Sequence, residues 1–284
     1  RQTKQNTKES VEHATRGEVY DALRKLDVVH EHDTYESRVN YLALSWLALS
    51  PEMRQQTLLF APSHKNRADV TYILREQLKQ EGALQGQSLV LDTLHPHNIA
   101  PVQQHFTRYY QEGLVIRFNQ DFKRAQISRG DYLTVGQITP EHQRDNVIPL
   151  KHEDGKISLF HLKLLPEYKK ETAGFERVIE VYEPRQLEVQ KGDTLLWCKN
   201  FKRDGILNSE RATLTAIKNT HFEFTNEQGK VLMIDNANPA LKHLDHGYVL
   251  TNYKVQGKDK YQGMGLLPSN SQFSATLQNF YVQI

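Results

Sequence analysis

Hydrophobic and polar residues alternate at helical spacing near the start of the chain and at strand spacing in its middle. In residues 9–26, apolar side chains recur on one helical face. These side chains are Val11, Val19, Ala22, Leu23 and Leu26. Residues 35–49 predict a second helix, and the apolar run at residues 56–61 predicts a buried strand. Ser63 then precedes a third helical pattern over residues 65–81, so the start of the chain is typical of an α/β domain.

Short strands separated by turns dominate the region from about residue 88 to residue 236. The turn signals include Glu112-Gly113, Arg129-Gly130-Asp131, Glu153-Asp154-Gly155, Lys191-Gly192-Asp193 and Gln228-Gly229. This spacing predicts small antiparallel barrels or meanders. Because the α/β pattern returns at about residue 238, we expect the β-rich middle to be inserted into an α/β domain.

Two segments of the middle repeat each other at one constant offset. The matched pairs are Gly113/Gly192, Phe122/Phe201, Lys123/Lys202, Arg124/Arg203, Ile127/Ile206 and Ile138/Ile217. Both copies continue to an acidic-Gly-Lys turn, which ends at Lys156 in one copy and at Lys230 in the other. We therefore predict two related five-stranded, SH3-like barrels. The expected divisions are residues 1–87, 88–165, 166–236 and 237–284.

Composition narrows the classes of function. The chain has 284 residues and a formal net charge of +2, so only local basic clusters can attract nucleic acid strongly. The single cysteine, Cys198, excludes an internal disulfide and a cysteine metal cluster. His95, His97 and His105 lack cysteine or carboxylate partners at ligand spacing, so we predict no zinc site. We expect both ends of the chain to be cuts through a longer protein.

The repeated Phe-Lys-Arg is the first candidate for binding chemistry. An aromatic ring beside two cations suits single-stranded nucleic acid, because the ring stacks on a base while the cations neutralise phosphates. The alternative is structural: the phenylalanine fills the core of its barrel, and the lysine and arginine are simply solvated. The sequence leaves both interpretations open.

The turn at residues 62–67 is the second candidate. Ser63 suits the N-cap of the following helix, whose first amides attract phosphate. His64, Lys65 and Arg67 add three donors within one turn. Capping alone would also explain Ser63.

The stretch at residues 243–258 is the third candidate. An apolar strand runs into Thr251, and Gln256, Gly257 and Lys258 follow. This order places a hydroxyl, an amide and a cation at the carboxyl end of a strand, where open α/β sheets bind ligands. The chain contains neither G-x-x-x-x-G-K-[ST] nor G-x-S-x-G. It is therefore neither a complete P-loop ATPase nor a serine hydrolase of the nucleophile-elbow type.

These pieces in this order resemble the C-terminal half of the helicase core of TraI-like conjugative relaxase–helicases (MobF type, superfamily 1B, related to RecD). The similarity runs over essentially the whole chain. The matching segments are Arg1-Gln-Thr3, Ala61-Pro-Ser-His64 with Arg67, Tyr109 to Phe118, Gly192-Asp193, Lys199-Asn200, Asp204 to Asn208, His243 to Gly257, and Gln278 to Ile284.

The resemblance implies an incomplete RecA-like α/β domain (helicase domain 2A), formed by residues 1–87 and 237–284, with the small β-barrels (domain 2B) inserted between them. It implies that Arg1 reaches the phosphates of ATP and that Gln256 and Gly257 lie between nucleotide and DNA. Together with the loops above, the expected nucleic-acid contacts are Ser63, His64, Arg67, Phe122, Lys123, Arg124, Lys199, Asn200, Phe201, Lys202, Arg203, Thr251, Tyr253 and Lys254.

The expected function is a fragment of a 5′-to-3′ DNA helicase that unwinds plasmid DNA during conjugation in the bacterial cytoplasm. ATP and Mg²⁺ would act only in the full-length protein, because the Walker residues lie outside this sequence, so the fragment alone should be inactive. The expected partner is single-stranded DNA. The alternative is a non-catalytic module that binds single strands and carries a translocation signal recognised by a type IV secretion coupling protein.

Overall fold

The computed structural model describes residues 5–26, 29–166, 177–251 and 260–266. Its helices are α1 (Gln5–Thr15), α2 (Val19–Arg24), α3 (Tyr35–Leu47), α4 (Pro51–Gln55), α5 (His64–Gln80) and α6 (Pro140–Arg144). Its strands are β1 (Thr57–Phe60), β2 (Gln85–Pro96), β3 (Val115–Phe118), β4 (Tyr132–Val135), β5 (Val147–Lys151), β6 (Ile157–His161), β7 (Ile179–Lys191), β8 (Thr194–Trp197), β9 (Arg211–Ile217), β10 (His221–Asn226), β11 (Val231–Asp235), β12 (Leu244–His246), β13 (Val249–Leu250) and β14 (Gln262–Gly265). No helix in the described ranges combines the length and apolar character needed to cross a membrane.

The elements of the α/β region lie close to their predicted bounds, with one difference. The helix expected at residues 9–26 is divided into α1 and α2. The division falls at Gly17, whose φ of 81° belongs to the left-handed region. Glycine adopts that conformation at little cost, so the first helix ends there.

The described residues form two compact units. One comprises the described parts of residues 1–88, 189–238 and 245–284, and the other comprises residues 89–188 and 239–244. The first unit therefore contains both the α/β region and the second copy of the repeat.

A parallel sheet lies in the first unit, with strand order β13-β1-β14. Leu59 is opposite Val249 on one side, and Thr57 is opposite Gln262 on the other. Helices α3 and α5 bury their apolar faces in the same cluster as residues of this sheet. The cluster includes Val39, Leu42, Trp46, Leu59, Val70, Leu74, Tyr248 and Val249. The sheet therefore has its carboxyl edge where β1 and β13 end.

The repeat in the sequence is also a repeat in structure. We call β3–β6 the first meander and β8–β11 the second meander. Val147 is opposite His161 in the first meander, and His221 is opposite Asp235 in the second. The last two strands of each meander thus pair in the same register, and the alternation of side chains between the two faces is the same in both.

The sheets that contain the meanders are open. One has the order β2-β7-β3-β4-β5-β6 and the other has the order β11-β10-β9-β8-β12. Each meander has a further strand beside its first strand: β7 in the first sheet, which β2 extends to six strands, and β12 in the second sheet, which has five. Within the described ranges, the last strand of each meander does not pair back to the opposite edge. The closed SH3-like barrels expected from the sequence are therefore not observed, and the architecture is mixed α/β with open antiparallel sheets.

Two equivalent glycines begin the meanders in different surroundings. Gly113 has a φ of 88° and open space where a Cβ would lie. Gly192 has a φ of 101°, and a Cβ there would overlap the carbonyl oxygen of Ala83. Gly192 thus allows the second meander to pack directly on the segment that follows α5.

We predict that Gly192→Ala destabilises the protein more than Gly113→Ala does. Positive φ alone costs an alanine about 1–2 kcal/mol, which is the expected loss at Gly113. Gly192→Ala adds the overlap with the backbone of Ala83, which can be relieved only by moving the second meander. Thermal unfolding of both variants measures the difference. Equal losses would show that the close packing at Gly192 contributes nothing.

Candidate nucleic-acid interface

The carboxyl edge of the parallel sheet brings two of the predicted segments together. The amide of Ala61, just after β1, donates to the carbonyl of Leu250 at 3.0 Å. Thr251 follows Leu250 directly, so the ends of β1 and β13 lie side by side. Helix α5 begins three residues beyond Ala61, and its N-cap Ser63 accepts a hydrogen bond from the amide of Asn66 at 3.1 Å. The ends of β1 and β13 and the start of α5 therefore lie at one edge of the sheet, and phosphate binding at this edge stays a prediction.

Arg67 is used inside the protein. Its side chain is buried, its Nε donates to the carbonyl of Val249 at 2.8 Å, and its Nη2 donates to Asp245 at 3.0 Å. Burial alone would raise the pKa of Asp245, but the guanidinium of Arg67 holds this pKa below its usual value. In this arrangement Arg67 ties α5 to β13 rather than offering its cation to a ligand.

Fewer hydrogen-bond donors are exposed at this edge than the sequence predicts, because Arg67 is buried. Ser63, His64 and Lys65 are exposed, and Thr251 is half-buried. The ammonium of Lys65 lies 4.7 Å from the ring centre of Tyr35 and 3.8 Å from a carboxylate oxygen of Asp69. Arg67 thus fixes the edge, while Ser63, Lys65 and Thr251 remain at its surface.

The repeated Phe-Lys-Arg segments form two loops with the same backbone hydrogen bonds. We call residues 119–131 the first basic loop and residues 198–210 the second basic loop. In the first, the amide of Arg129 donates to Asp121 at 2.7 Å; in the second, the amide of Asn208 donates to Asn200 at 2.7 Å. The equivalent bridges Phe122–Ile127 and Phe201–Ile206 narrow both loops. Asn200, predicted as a DNA contact, therefore accepts a bond that shapes its own loop.

The aromatic and basic residues of these loops have different surroundings. Phe122 is only 8% exposed and packs edge-on against Phe118 and Phe160, with ring centres 5.6 and 5.0 Å away. Its ring offers no free face to a base, as the structural alternative predicts. Phe201 is half-buried. The exposed cations are Lys123, Arg124 and Arg129 in the first basic loop and Lys202 and Arg203 in the second, where Lys199 is half-buried.

The structure adds one lysine to each basic loop. In a meander, alternate turns lie at the same end of the sheet, so the acidic-Gly-Lys turn lies beside the basic loop. The ammonium of Lys156 donates to the side chain of Gln126 in the first basic loop at 2.7 Å. The ammonium of Lys230 lies 3.4 Å from where a Cβ of Gly205 would be in the second. The repeat of the acidic-Gly-Lys turn was the sequence signal for both lysines.

The second basic loop starts beside the edge of the parallel sheet. Leu58 of β1, Leu250 of β13 and Leu196 of β8 form one buried cluster, and Cys198 packs against it. The chain leaves this cluster towards Lys199 at one point and towards Thr251 at another. The second basic loop and the carboxyl end of β13 therefore both start from this one buried cluster.

Five predicted site residues lie outside the described residues. These are Arg1, Tyr253, Lys254, Gln256 and Gly257.

One group in the described residues has ligand atoms close enough for a metal ion. Ligand atoms of His13, Glu18 and Asp21 lie within 4.8 Å of one another. Arg16 donates to Glu18 at 3.1 Å, and its Nη2 lies 3.1 Å from Nδ1 of His13. Arg16 already contacts two of the three side chains, so we assign no metal to this group.

Comparison with known proteins gives structural similarity only. No protein-family model and no curated protein sequence matches the chain. Bacteroides Pif1 bound to ssDNA matches 100% of this chain and 46% of its own, with 10% identity and a TM-score of 0.45. Bacteroides Pif1 helicase with ADP-AlF3 and ssDNA matches 94% and 44%, with 10% identity and a TM-score of 0.42. Unliganded Pif1 from Bacteroides sp. matches 99% and 47%, with 12% identity and a TM-score of 0.41.

The chain thus spans less than half the length of these helicase chains. At these identities and TM-scores the likeness establishes neither family nor function.

We predict that Arg67→Ala destabilises the protein by about 3 kcal/mol, because it leaves Asp245 partly buried without its cation. The lowered pKa of Asp245 contributes stability that is present above its unfolded pKa and lost as pH falls through the folded pKa. Without Arg67, burial raises this pKa, so acid unfolding should begin at a higher pH. Acid titration followed by circular dichroism tests this. Arg67→Lys, which keeps the charge but loses the fork, should be intermediate; an unchanged acid midpoint in Arg67→Ala would contradict the assignment.

Proposed function

We propose that the chain binds single-stranded DNA along the edge of its parallel sheet and its basic loops, as part of a superfamily 1B helicase core. The observation that supports this most directly is the convergence of Thr251 and the second basic loop on one apolar cluster. A strand lying on this surface would meet the hydroxyl of Thr251 and the cations of Lys202 and Arg203. Such groups position a nucleic-acid backbone without reading its sequence.

The near-neutral net charge makes local clustering important. With a formal net charge of +2, the protein has no strong long-range attraction for DNA. Binding therefore depends on the few phosphates neutralised at the loops, and we expect it to be weak and sensitive to salt. The protein also shapes these loops with internal hydrogen bonds, so little ordering is needed on binding.

The larger assignment rests on the resemblance of motifs. The parallel sheet around β1 and β13, with a helix start at its carboxyl edge, supports a RecA-like domain. The antiparallel sheets come from the part of the sequence that the resemblance assigns to domain 2B. We propose that the full-length protein is a TraI-like relaxase–helicase that uses ATP and Mg²⁺ in the bacterial cytoplasm. Arg1, Gln256 and Gly257, which would contact ATP, lie outside the described residues.

We predict that the chain binds a single-stranded oligonucleotide at low salt and that replacing Lys202 and Arg203 together with alanine weakens this binding. Each phosphate contact on a single strand contributes about 0.7 to the slope of log affinity against log salt, so losing two contacts should reduce the slope by about 1.4. Fluorescence anisotropy at several salt concentrations measures it.

Lys218→Ala is the matched control. Lys218 is exposed in the turn between β9 and β10, at the end of the second meander away from the second basic loop. Its replacement should leave the slope unchanged. A proposal of DNA binding at the second basic loop would be abandoned if both changes reduced affinity equally, or if no binding occurred at low salt.

A second candidate is a protein-binding role, as a translocation signal for a type IV secretion coupling protein. The outermost strand of each meander exposes two apolar side chains at equivalent positions. These are Ile157 and Leu159 on β6, and Val231 and Met233 on β11. Apolar side chains on an open sheet edge suit contact with a protein rather than with DNA.

We predict for this role that the chain directs a fused reporter through the secretion system and that Leu159→Glu with Met233→Glu prevents the transfer. The reason is that a charge on each outer strand opposes protein docking there. The same double change should leave oligonucleotide affinity unaltered, which serves as the control for folding. Transfer that persists in the variant, or is absent from the unchanged chain, would count against the secretion role.

A further inference from the structure

Asp193 is a fully buried carboxylate at the start of the second meander. Arg75 of α5 donates to it twice, from Nε at 2.9 Å and from Nη2 at 3.0 Å. Tyr248 donates its hydroxyl to Oδ1 at 2.8 Å, and the amide of Gln190 donates to Oδ2 at 2.7 Å. Each carboxylate oxygen therefore accepts two hydrogen bonds, which satisfies the ion in the absence of water.

This junction joins three separate parts of the sequence. Arg75 lies on α5, whose first turn stands at the edge of the parallel sheet. Tyr248 immediately precedes β13, which ends at that same edge. Asp193 immediately precedes β8, which leads into the second basic loop. Burial raises the pKa of Tyr248 well above its usual value, so its hydroxyl stays a donor across the neutral range.

The first meander has a different residue at the equivalent position. Leu114 stands where the second meander has Asp193, and it is buried in the apolar core of the first meander. A second difference lies at the residue that follows the first strand of each meander. In the second meander this residue is Cys198, which packs against the cluster of Leu58, Leu196 and Leu250, and in the first meander it is Asn119. The two copies share their loop geometry but differ in the residues that connect a loop to the sheet edge.

A buried ion pair gains little stability over apolar packing, but it fixes geometry because its donors have defined directions. The bidentate fork between Arg75 and Asp193 sets both the distance and the rotation of the second meander relative to α5. The hydroxyl of Tyr248 donates to the same carboxylate, so the start of β13 is also held against Asp193. The apolar cluster of Leu58, Leu196 and Leu250 is a second contact between the second meander and the parallel sheet.

We infer that Asp193, Arg75 and Tyr248 are positioning residues that hold the second basic loop and the Thr251 edge as one two-point site for a single DNA strand, whereas the first basic loop binds DNA independently of that edge. This inference rests on the proposed DNA binding and assigns different roles to the two copies of the loop. Two contacts held at a fixed separation strengthen each other, because the strand that binds one is delivered to the other.

Tyr248→Phe tests this with a change of one oxygen. It removes one hydrogen bond to Asp193 and leaves the fork of Arg75 in place, so the fold should persist. Three backgrounds are compared: the unchanged chain, the chain with Lys202→Ala and Arg203→Ala, and the chain with Lys123→Ala and Arg124→Ala. The measurement is anisotropy with oligonucleotides of about 4 to 16 nucleotides, the range of site sizes for small strand-binding folds.

We expect Tyr248→Phe to weaken binding of the longer oligonucleotides by about 5-fold or more in the unchanged chain, a typical size for coupling between two sites. The loss should remain when the first basic loop is altered and should disappear when the second is altered. Short oligonucleotides, which reach one contact only, should bind Tyr248→Phe and the unchanged chain equally. Asp193→Asn, which removes the charge, should reproduce this pattern with a larger loss.

The outcomes separate the inference from the function on which it rests. If the unchanged chain binds no oligonucleotide at low salt, the proposed function fails. If it binds, but Tyr248→Phe weakens binding equally in all three backgrounds or in none, DNA binding stands and the positioning role of the junction is overturned. A general loss of stability would affect both altered loops alike, so it cannot produce the expected pattern.

Discussion

Strand β1 can form its sheet only if the chain returns to it from far along the sequence. Its partners are β13 on one side and β14 on the other, and both come from the last part of the described chain. The segment between α5 and β12 is therefore a long insertion, and its two ends must lie close together in the folded protein. The entropy of closing so long a loop has to be offset by contacts that hold its ends. The junction of Arg75, Asp193 and Tyr248 provides such contacts close to the sheet.

The two meanders have the same fold but differ in their contacts with the rest of the chain. Their loops share hydrogen bonds, and their last two strands share a register, so the unit folds in the same way twice. The two meanders differ in the residue immediately before their first strand: Leu114 is buried in an apolar core, and Asp193 forms an ion pair with Arg75 of α5. The second meander, which has this ionic contact, belongs to the same unit as the α/β region, whereas the first meander belongs to the other unit.

Much of this architecture could be predicted from the sequence. Periodicity and capping located α3, β1 and α5, and the matched pairs of the repeat located both meanders. The closed barrels could not be predicted reliably, because local alternation sets strand pairing within a meander but not whether the last strand meets the first. The role of Arg67 was also hidden, because its partners Val249 and Asp245 lie far away in sequence and only the fold brings them close. Burial of Phe122 was one of the two interpretations that the sequence left open; Phe118 is near it in sequence, but only the fold brings Phe160 of β6 against it.

Both tryptophans of the chain lie in one of the two units. Trp46 belongs to α3, beside Tyr248, and Trp197 is the last residue of β8, directly before the second basic loop. In the first meander, phenylalanine occupies the position equivalent to Trp197. Intrinsic indole fluorescence therefore reports only on the unit that carries Thr251, and the other unit is spectroscopically silent at wavelengths that excite tryptophan alone. The two tryptophans therefore act as an intrinsic fluorescence probe of one of the two units.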